Sequence, residues 1–258
     1  MGSGSEIGQA MASRLSGTGW SVSGSYFNSD ADPKNVGLEL KLHCDFTDKE
    51  SIDRMASQLE ASNLRFNLLL LAVGTLLPIG EFLEVDTASW ESGFNVNFLG
   101  PARLVRRMLP LLTTYGPVPP HCIFLVGGGI NSTTVSFSSY TLAKIALVKL
   151  AEILDAELPE IAVSSVGPGW VRTKIHRETL SDSRTPLLIR SETERRYREN
   201  DFVEMASVLN FLEWIISQPK PVVGGRNFSV STDAFKDMSA LEGLAEDRDL
   251  LKLRRRTR

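Results

Sequence analysis

Cysteine and histidine are scarce in this chain, with two cysteines and three histidines among 258 residues. Cys44 and Cys122 both lie in apolar, strand-like stretches. They read as reduced core thiols, which excludes a disulfide-stapled scaffold. His43, His121 and His176 share no ligand spacing, so no metal site is expected. No run of about 18 apolar residues occurs, and no transmembrane helix is expected. The opening Met1-Gly2-Ser3-Gly4-Ser5 has neither the basic nor the apolar region of a signal peptide. Together with the thiols, this gives the expectation of a cytoplasmic protein. An excess of charge is also missing: 28 basic against 31 acidic residues leave a net charge of −3. Such a balance supplies no field to gather nucleic acid or a membrane surface. Internal repeats and low-complexity tracts are absent as well.

What is present is an alternation of short apolar runs with longer stretches of helical spacing, the pattern of repeated βα units around a parallel sheet. Strands are expected at 20–26, 38–44, 66–73, 121–126, 161–166 and 226–230. Along the second, Leu38, Leu40, Leu42 and Cys44 alternate onto one face. Helices are expected at 7–15, from a Thr47/Glu50 capping box through Leu59, across 90–112, at 140–158 and at 202–217. On the helix at 140–158, Leu142, Ala146, Leu147, Leu150 and Leu154 fall on one side. Nothing marks a second domain, so residues 1–258 are expected to form one unit. The stretch 172–201, rich in Arg, Glu, Ser and Thr, reads as a long loop of the kind that carries substrate contacts.

Two motifs carry chemistry. Gly2-Ser3-Gly4-Ser5-Glu6-Ile7-Gly8 immediately precedes a helix. There, glycines allow close backbone approach to a pyrophosphate, and free N–H groups favour an anion. Tyr140-Thr141-Leu142-Ala143-Lys144 places a phenol and an ammonium one turn apart on a helix face. A neighbouring ammonium favours the phenolate and brings the phenol toward the range of a general acid/base.

Taken in order along a βα chain, these residues resemble the short-chain dehydrogenase/reductase family from Gly2 to about Val230. The resemblance implies a doubly wound, Rossmann-like parallel sheet between two helical layers. It also implies a bound nicotinamide dinucleotide and the interconversion of a small-molecule carbonyl and alcohol in a homodimer or homotetramer. Tyr140 would exchange the proton, and Lys144 would lower its pKa and hold the cofactor ribose. Asn97, in Asn95-Val96-Asn97-Phe98, would maintain a proton-relay water. Cofactor contacts are implied for Gly2, Ser5, Glu6, Ile7 and Gly8, for Asp45 and Phe46 at the adenine, and for Gly74, Tyr140 and Lys144. Pro168, Gly169, Val171 and Thr173, in Gly167-Pro168-Gly169-Trp170-Val171-Arg172-Thr173, are implied beside the nicotinamide.

The departures are specific. Glu6 stands where the family has its middle glycine. Leu71-Ala72-Val73-Gly74 keeps only the glycine of the usual NNAG segment. Thirteen residues before Tyr140, where the family has a catalytic serine, the chain has Gly127. Ser132, in the loop that follows, is the expected replacement. Because of this gap, a non-catalytic nucleotide- or partner-binding member of the fold is the alternative. No acid follows the second family strand; Tyr26, Phe27, Asn28 and Ser29 stand there. This leans toward NADP, with Asn28 as a contact and NAD possible. The family's first, central strand has no counterpart ahead of the Gly-rich loop, which leaves open a trimmed sequence, a late-assigned start or an unusually built sheet, and its neighbours are expected to lack a strand partner there. Pro101 cannot donate to the carbonyl of Asn97, which predicts a kink there with that carbonyl turned toward Lys144. His176 lies beside the nicotinamide segment as a candidate substrate contact. Arg195, Arg196 and Arg198 interleave with Glu192, Glu194 and Glu199 as a solvated face, and residues 245–258 read as a disordered basic tail.

Overall fold

The computed structural model describes residues 5–27, 37–233, 243–244 and 246–255. Six strands form in chain order: β1 Ser23–Tyr26, β2 Leu40–His43, β3 Leu68–Leu71, β4 His121–Leu125, β5 Ala162–Gly167 and β6 Asn227–Ser229. All their pairings are parallel, β1 with β2 in one sheet and β3-β4-β5-β6 in a second. The helices are α1 Glu6–Gly17, α2 Lys49–Ala61, α3 Thr87–Phe94, α4 Gly100–Met108, α5 Ser138–Glu157, α6 Lys174–Ser181, α7 Leu187–Glu199, α8 Met205–Ile216 and the short α9 Lys220–Val223.

Pleating divides the core between two faces. Leu69, Leu71, Cys122 and Phe124 point to one side, where α2, α4 and α5 bring Ile52, Met55, Leu104, Met108 and Leu147. Leu70, Ile123 and Leu125 point to the other, against Met11 and Leu15 of α1 and Phe211, Leu212 and Ile215 of α8. The product is a helix–sheet–helix sandwich, and its strands are apolar on both faces as buried parallel strands must be. The expected break is visible between β1 and β3. No strand of the described residues pairs with the facing edges. A slot of about 140 Å³ lies there, lined by Met11, Ala12 and Leu15 of α1, by Leu59, and by residues 66–70. Gly8 lines this slot as well.

Several sequence expectations are corrected. The cap of α2 is Asp48, whose side chain accepts from the Glu50 N–H, and Thr47 is not the cap. Thr47 is held instead by the carboxylate of Asp45, which takes its N–H and hydroxyl at 2.8 and 2.7 Å. The single helix expected over 90–112 is α3, a π-helical turn at Asn95–Leu99, α4 and a 3-10 turn at Leu109–Leu111. On α5 the buried side is Ala143, Lys144, Leu147, Val148 and Ala151, while Leu142 is 48% exposed. Leu147, Leu150 and Leu154 of the expected apolar side do pack on the core, and close approach of helix to sheet centres that side on the alanines. The stretch 172–201 is largely helical, as α6 and α7. Residues 246–255 are docked and do not form a free tail. Arg226 donates to the carbonyls of Asp247 and Leu250, and Arg254 pairs with Glu152 at 2.6 Å.

Candidate active site

Because all strands run the same way, their C-terminal ends share one rim. There a cleft of about 1090 Å³ opens, lined from every strand exit: Tyr26, Asp45, Gly74, Gly127, Gly169 and Ser229 among others. In open α/β sheets this rim is where ligands bind.

Helix α5 starts inside the cleft. Spacing of four places Tyr140 and Lys144 side by side, with the Lys144 Nζ 5.6 Å from the Tyr140 ring centroid. Both are buried among core side chains while lining the cleft. Lys144 donates to the carbonyls of Val73 at 3.0 Å and Leu125 at 3.2 Å, so its ammonium is fixed between the ends of β3 and β4. Burial lowers its pKa to about 8. Burial raises the Tyr140 phenol above its ordinary value, and the nearby Glu178 charge adds to the rise. The lowering of the phenol expected from its spacing to Lys144 is therefore reversed. Desolvation acts on both groups of the pair and sets the direction of both shifts.

Asn97 is wholly buried in the π-helical turn. The missing N–H of Pro101 leaves the α-helical ladder without a rung, and the helix opens so that the Gly100 N–H reaches the Asn95 carbonyl. The expected irregularity is present. Lys144 makes its direct hydrogen bonds to the carbonyls of Val73 and Leu125. The side chain of Asn97 is what faces this region. Its Nδ2 donates to the carbonyls of Thr75 (2.9 Å) and Gly93 (2.8 Å), and its Oδ1 accepts from the Thr75 N–H at 3.2 Å. A Cβ on Gly74 would stand 3.2 Å from both the Asn97 Oδ1 and the Lys144 Nζ, so glycine is what lets these two groups converge.

Gly127 ends up directly beside Tyr140. Ser132 lines the rim of the cleft and is exposed, while Thr134 is tied to Thr141 at 2.6 Å. Ser5, Glu6 and Ile7 at the start of α1, Asp45 and Phe46, and Pro168, Gly169, Val171 and Thr173 all line the cleft. Ser5 caps α1 by accepting from the Gly8 N–H. Gly169 has φ +79, the left-handed region that glycine adopts without strain. Gly2 and Asn28 lie outside the described residues. A convergent helix N-terminus, a glycine cradle at Gly74 and a cleft of this size fit a dinucleotide, while the carboxylate of Glu6 on the same lip opposes its charge.

Sequence reasoning missed the residues that close the far wall. Glu178 accepts from the Leu76 N–H at 2.7 Å and the Thr75 hydroxyl at 3.1 Å, which binds α6 to the segment fastened by Asn97. Its burial raises its pKa. The Lys174/Glu178 spacing of four was the available signal. Leu76, Ile79, Phe137, Ile175 and Ile189 pack around Tyr140 as an apolar wall. His176 is stacked on Trp170, with ring centroids 4.6 Å apart, and packs against Phe202. Its pKa is lowered to about 4, by burial first. It is thus a packing element of the wall. Arg195 is paired with Glu192, Glu199 and Asp201, as its interleaving with acids implied. Among the described residues no cluster of metal-ligating side chains occurs, and no helix is long and apolar enough to cross a membrane.

Comparison with known proteins supplies context for this geometry. A family model described as Enoyl-(Acyl carrier protein) reductase matches residues 2–232. The short chain dehydrogenase tazN of Aspergillus terreus is 26% identical over 196 residues, which is 75% of this chain and 41% of that protein. The chain therefore spans less than half the length of this relative. The short-chain dehydrogenase/reductase YIR035C from Saccharomyces cerevisiae superposes with a TM-score of 0.80 at 19% identity, covering 94% of this chain and 96% of that one. The angucycline C-6 ketoreductase LanV, solved with bound NADP, superposes with a TM-score of 0.72 at 19% identity, covering 89% and 91%.

Proposed function

This chain belongs to the short-chain dehydrogenase/reductase family, and from that premise we propose that it is an NADP-dependent reductase of bulky, uncharged carbonyl compounds. The observation that carries the reading is the pairing of Tyr140 with Lys144 at the head of a cleft wide enough for a dinucleotide and a substrate together. When bound, the nicotinamide supplies the hydride. The remaining work falls to side chains of this protein.

Tyr140 is the proton donor. Its burial keeps the phenol protonated, which suits the direction in which a ketone oxygen gains charge and must be neutralised. Lys144, anchored on two carbonyls, holds a positive charge beside the ring as that proton leaves. Asn97 fixes the Thr75 peptide and, through it, the wall carrying Leu76. Gly127 offers no hydroxyl, so activation of the carbonyl rests on Tyr140 alone. Losing one such donor reduces transition-state stabilisation by about 3 kcal/mol, and a slow turnover is expected.

The substrate class follows from the wall around Tyr140. Leu76, Ile79, Phe137, Ile175 and Ile189 present hydrocarbon, and the cationic head of Lys144 is already satisfied. Against this hydrocarbon wall an aromatic or fused-ring ketone would bury its surface. The likeness to LanV, an angucycline C-6 ketoreductase, supports this class. The preference for NADP rests on Tyr26 and Phe27, the described residues at the end of β1, neither of which brings a carboxylate against a 2′-phosphate. A cytoplasmic location accords with two unpaired, buried thiols, and a homo-oligomer is the expected assembly. A titration with NADPH and NADH, followed by a turnover screen on aromatic and aliphatic ketones, tests the reading.

A further inference from the structure

The two banks of the cleft are joined by one carboxylate. Glu6 sits in the first turn of α1, and its Oε1 accepts both the backbone N–H of Lys174 at 2.9 Å and the Arg177 guanidinium at 2.7 Å. Lys174 and Arg177 belong to the first turn of α6, whose own N-cap, Thr173, makes no side-chain hydrogen bond to it. Glu6 therefore does the work of a cap for a helix 168 residues away in sequence. All three residues line the cleft.

This contact lies where the proposed reading needs an anion. The start of α1 and the start of α6 line the same mouth, and both helix ends favour negative charge. The diphosphate of a dinucleotide and the carboxylate of Glu6 have the same sign and compete for the same donors. The pair is also easy to exchange. Arg177 is 62% exposed and Glu6 34%, and such solvent-screened pairs hold weakly. A guanidinium gains more from the doubly hydrogen-bonded contact that phosphate offers.

We propose that Glu6 is a stand-in anion: in the nucleotide-free protein it holds Arg177 and the Lys174 amide, and the diphosphate of an incoming dinucleotide displaces it and takes Arg177 as its cationic partner. Arg177 is then a nucleotide-binding residue, and Glu6 sets how strongly the cleft resists occupation. The substitution of an acid for a small residue in the phosphate-binding loop acquires a purpose, since it keeps α6 seated while the cleft is free. The inference rests on the reading of the cleft as a dinucleotide site.

The test is the sign of two effects on NADPH affinity, measured by fluorescence titration of the whole chain. Glu6→Gln removes the competitor and should tighten binding about fivefold, the scale of one exposed ion pair. Arg177→Met removes the phosphate partner and should weaken binding by a similar factor. If the pair only anchors α6, both variants break the same anchor and both weaken binding, which overturns the proposal. Equal affinity in the wild type and Glu6→Gln overturns it as well. Binding by Glu6→Gln where the wild type shows none supports it. Absence of NADPH and NADH binding in every form instead removes the dinucleotide reading itself. Amide exchange without nucleotide gives a second readout, because Lys174 N–H should exchange faster in Glu6→Gln while the core strands stay protected.

Discussion

The hydroxyl of Tyr140 occupies the space into which any side chain at residue 127 would project: a Cβ built on Gly127 would lie 1.8 Å from the Tyr140 Oη and 2.7 Å from its Cζ. The absence of a serine at 127 and the position of the phenol are thus one structural fact. Glycine lets the ring settle against the end of β4, and the settled ring leaves no room for a hydroxyl-bearing residue.

This relationship makes a prediction about Gly127→Ser. The added atoms force Tyr140 away from its present seat, an overpacking expected to destabilise by about 1–3 kcal/mol. We expect a melting temperature lower by a few degrees and no gain in ketone turnover. A faster enzyme with an unchanged melting temperature would show that the site accommodates serine and Tyr140 together.

Asn97→Ala should destabilise out of proportion to its size. The side chain makes three hydrogen bonds from a fully buried position, two of them to the Thr75 peptide. Leaving those backbone groups unpaired should destabilise by about 3 kcal/mol. Hydrogen exchange should rise at Thr75 and Leu76 and, through the Glu178 contact, at α6. Exchange confined to residue 97 and its helical neighbours would contradict the linkage between this side chain and the cleft wall.

Acid should weaken the fold as the pH falls below 6.5. His121 is buried with both ring nitrogens lacking hydrogen-bond partners, and burial lowers its pKa from 6.5 to about 4. The unfolded chain therefore takes up a proton below pH 6.5 that the folded chain refuses until about pH 4. Stability from this group is complete above pH 6.5 and is lost as pH falls, by about 1.4 kcal/mol per unit. Between pH 7 and pH 5 the loss is roughly 2 kcal/mol, and His176 adds to it in the same direction. Melting curves of the wild type and His121→Leu at both pH values check this. The variant should lose distinctly less than the wild type, and equal losses would remove His121 from the account.

NADPH should bind at least as tightly as NADH. At the end of β1 Tyr26 packs edge-on against His43, and beyond β2 the carboxylate of Asp45 is engaged by Thr47. Calorimetric titration decides the matter, and an NADH preference of tenfold or more would refute it.

How far the sequence revealed this arrangement depends on the range of the forces involved. The parallel βα organisation was legible because buried strands must be apolar on both faces, as Leu68–Leu71 are. Tyr140 and Lys144 were legible as a pair because helical spacing brings them together, and Asn97 was added to them by the family resemblance. The π-helical turn could be anticipated from Pro101, since a missing N–H acts locally. The direction taken by the Asn97 amide could not, because it depends on Thr75, 22 residues away. The raised pKa of Tyr140 was likewise hidden, since spacing reveals a neighbouring charge but not the desolvation that outweighs it. The contact of Glu6 with Arg177 spans 171 positions, and only the folded cleft brings the two together.

The central claim is that Tyr140 delivers the proton to a carbonyl in this cleft. The most direct measurement is the rate of NADPH oxidation with an aromatic ketone by the wild type and by Tyr140→Phe, with nucleotide affinity measured on both. Phenylalanine keeps the ring packed against Leu76, Ile79 and Phe137 and removes only the hydroxyl. The account predicts measurable turnover in the wild type, a loss of at least about a hundredfold in the variant, and NADPH affinity within about twofold. Turnover retained in Tyr140→Phe, or a wild type that binds NADPH and reduces no ketone, would contradict it.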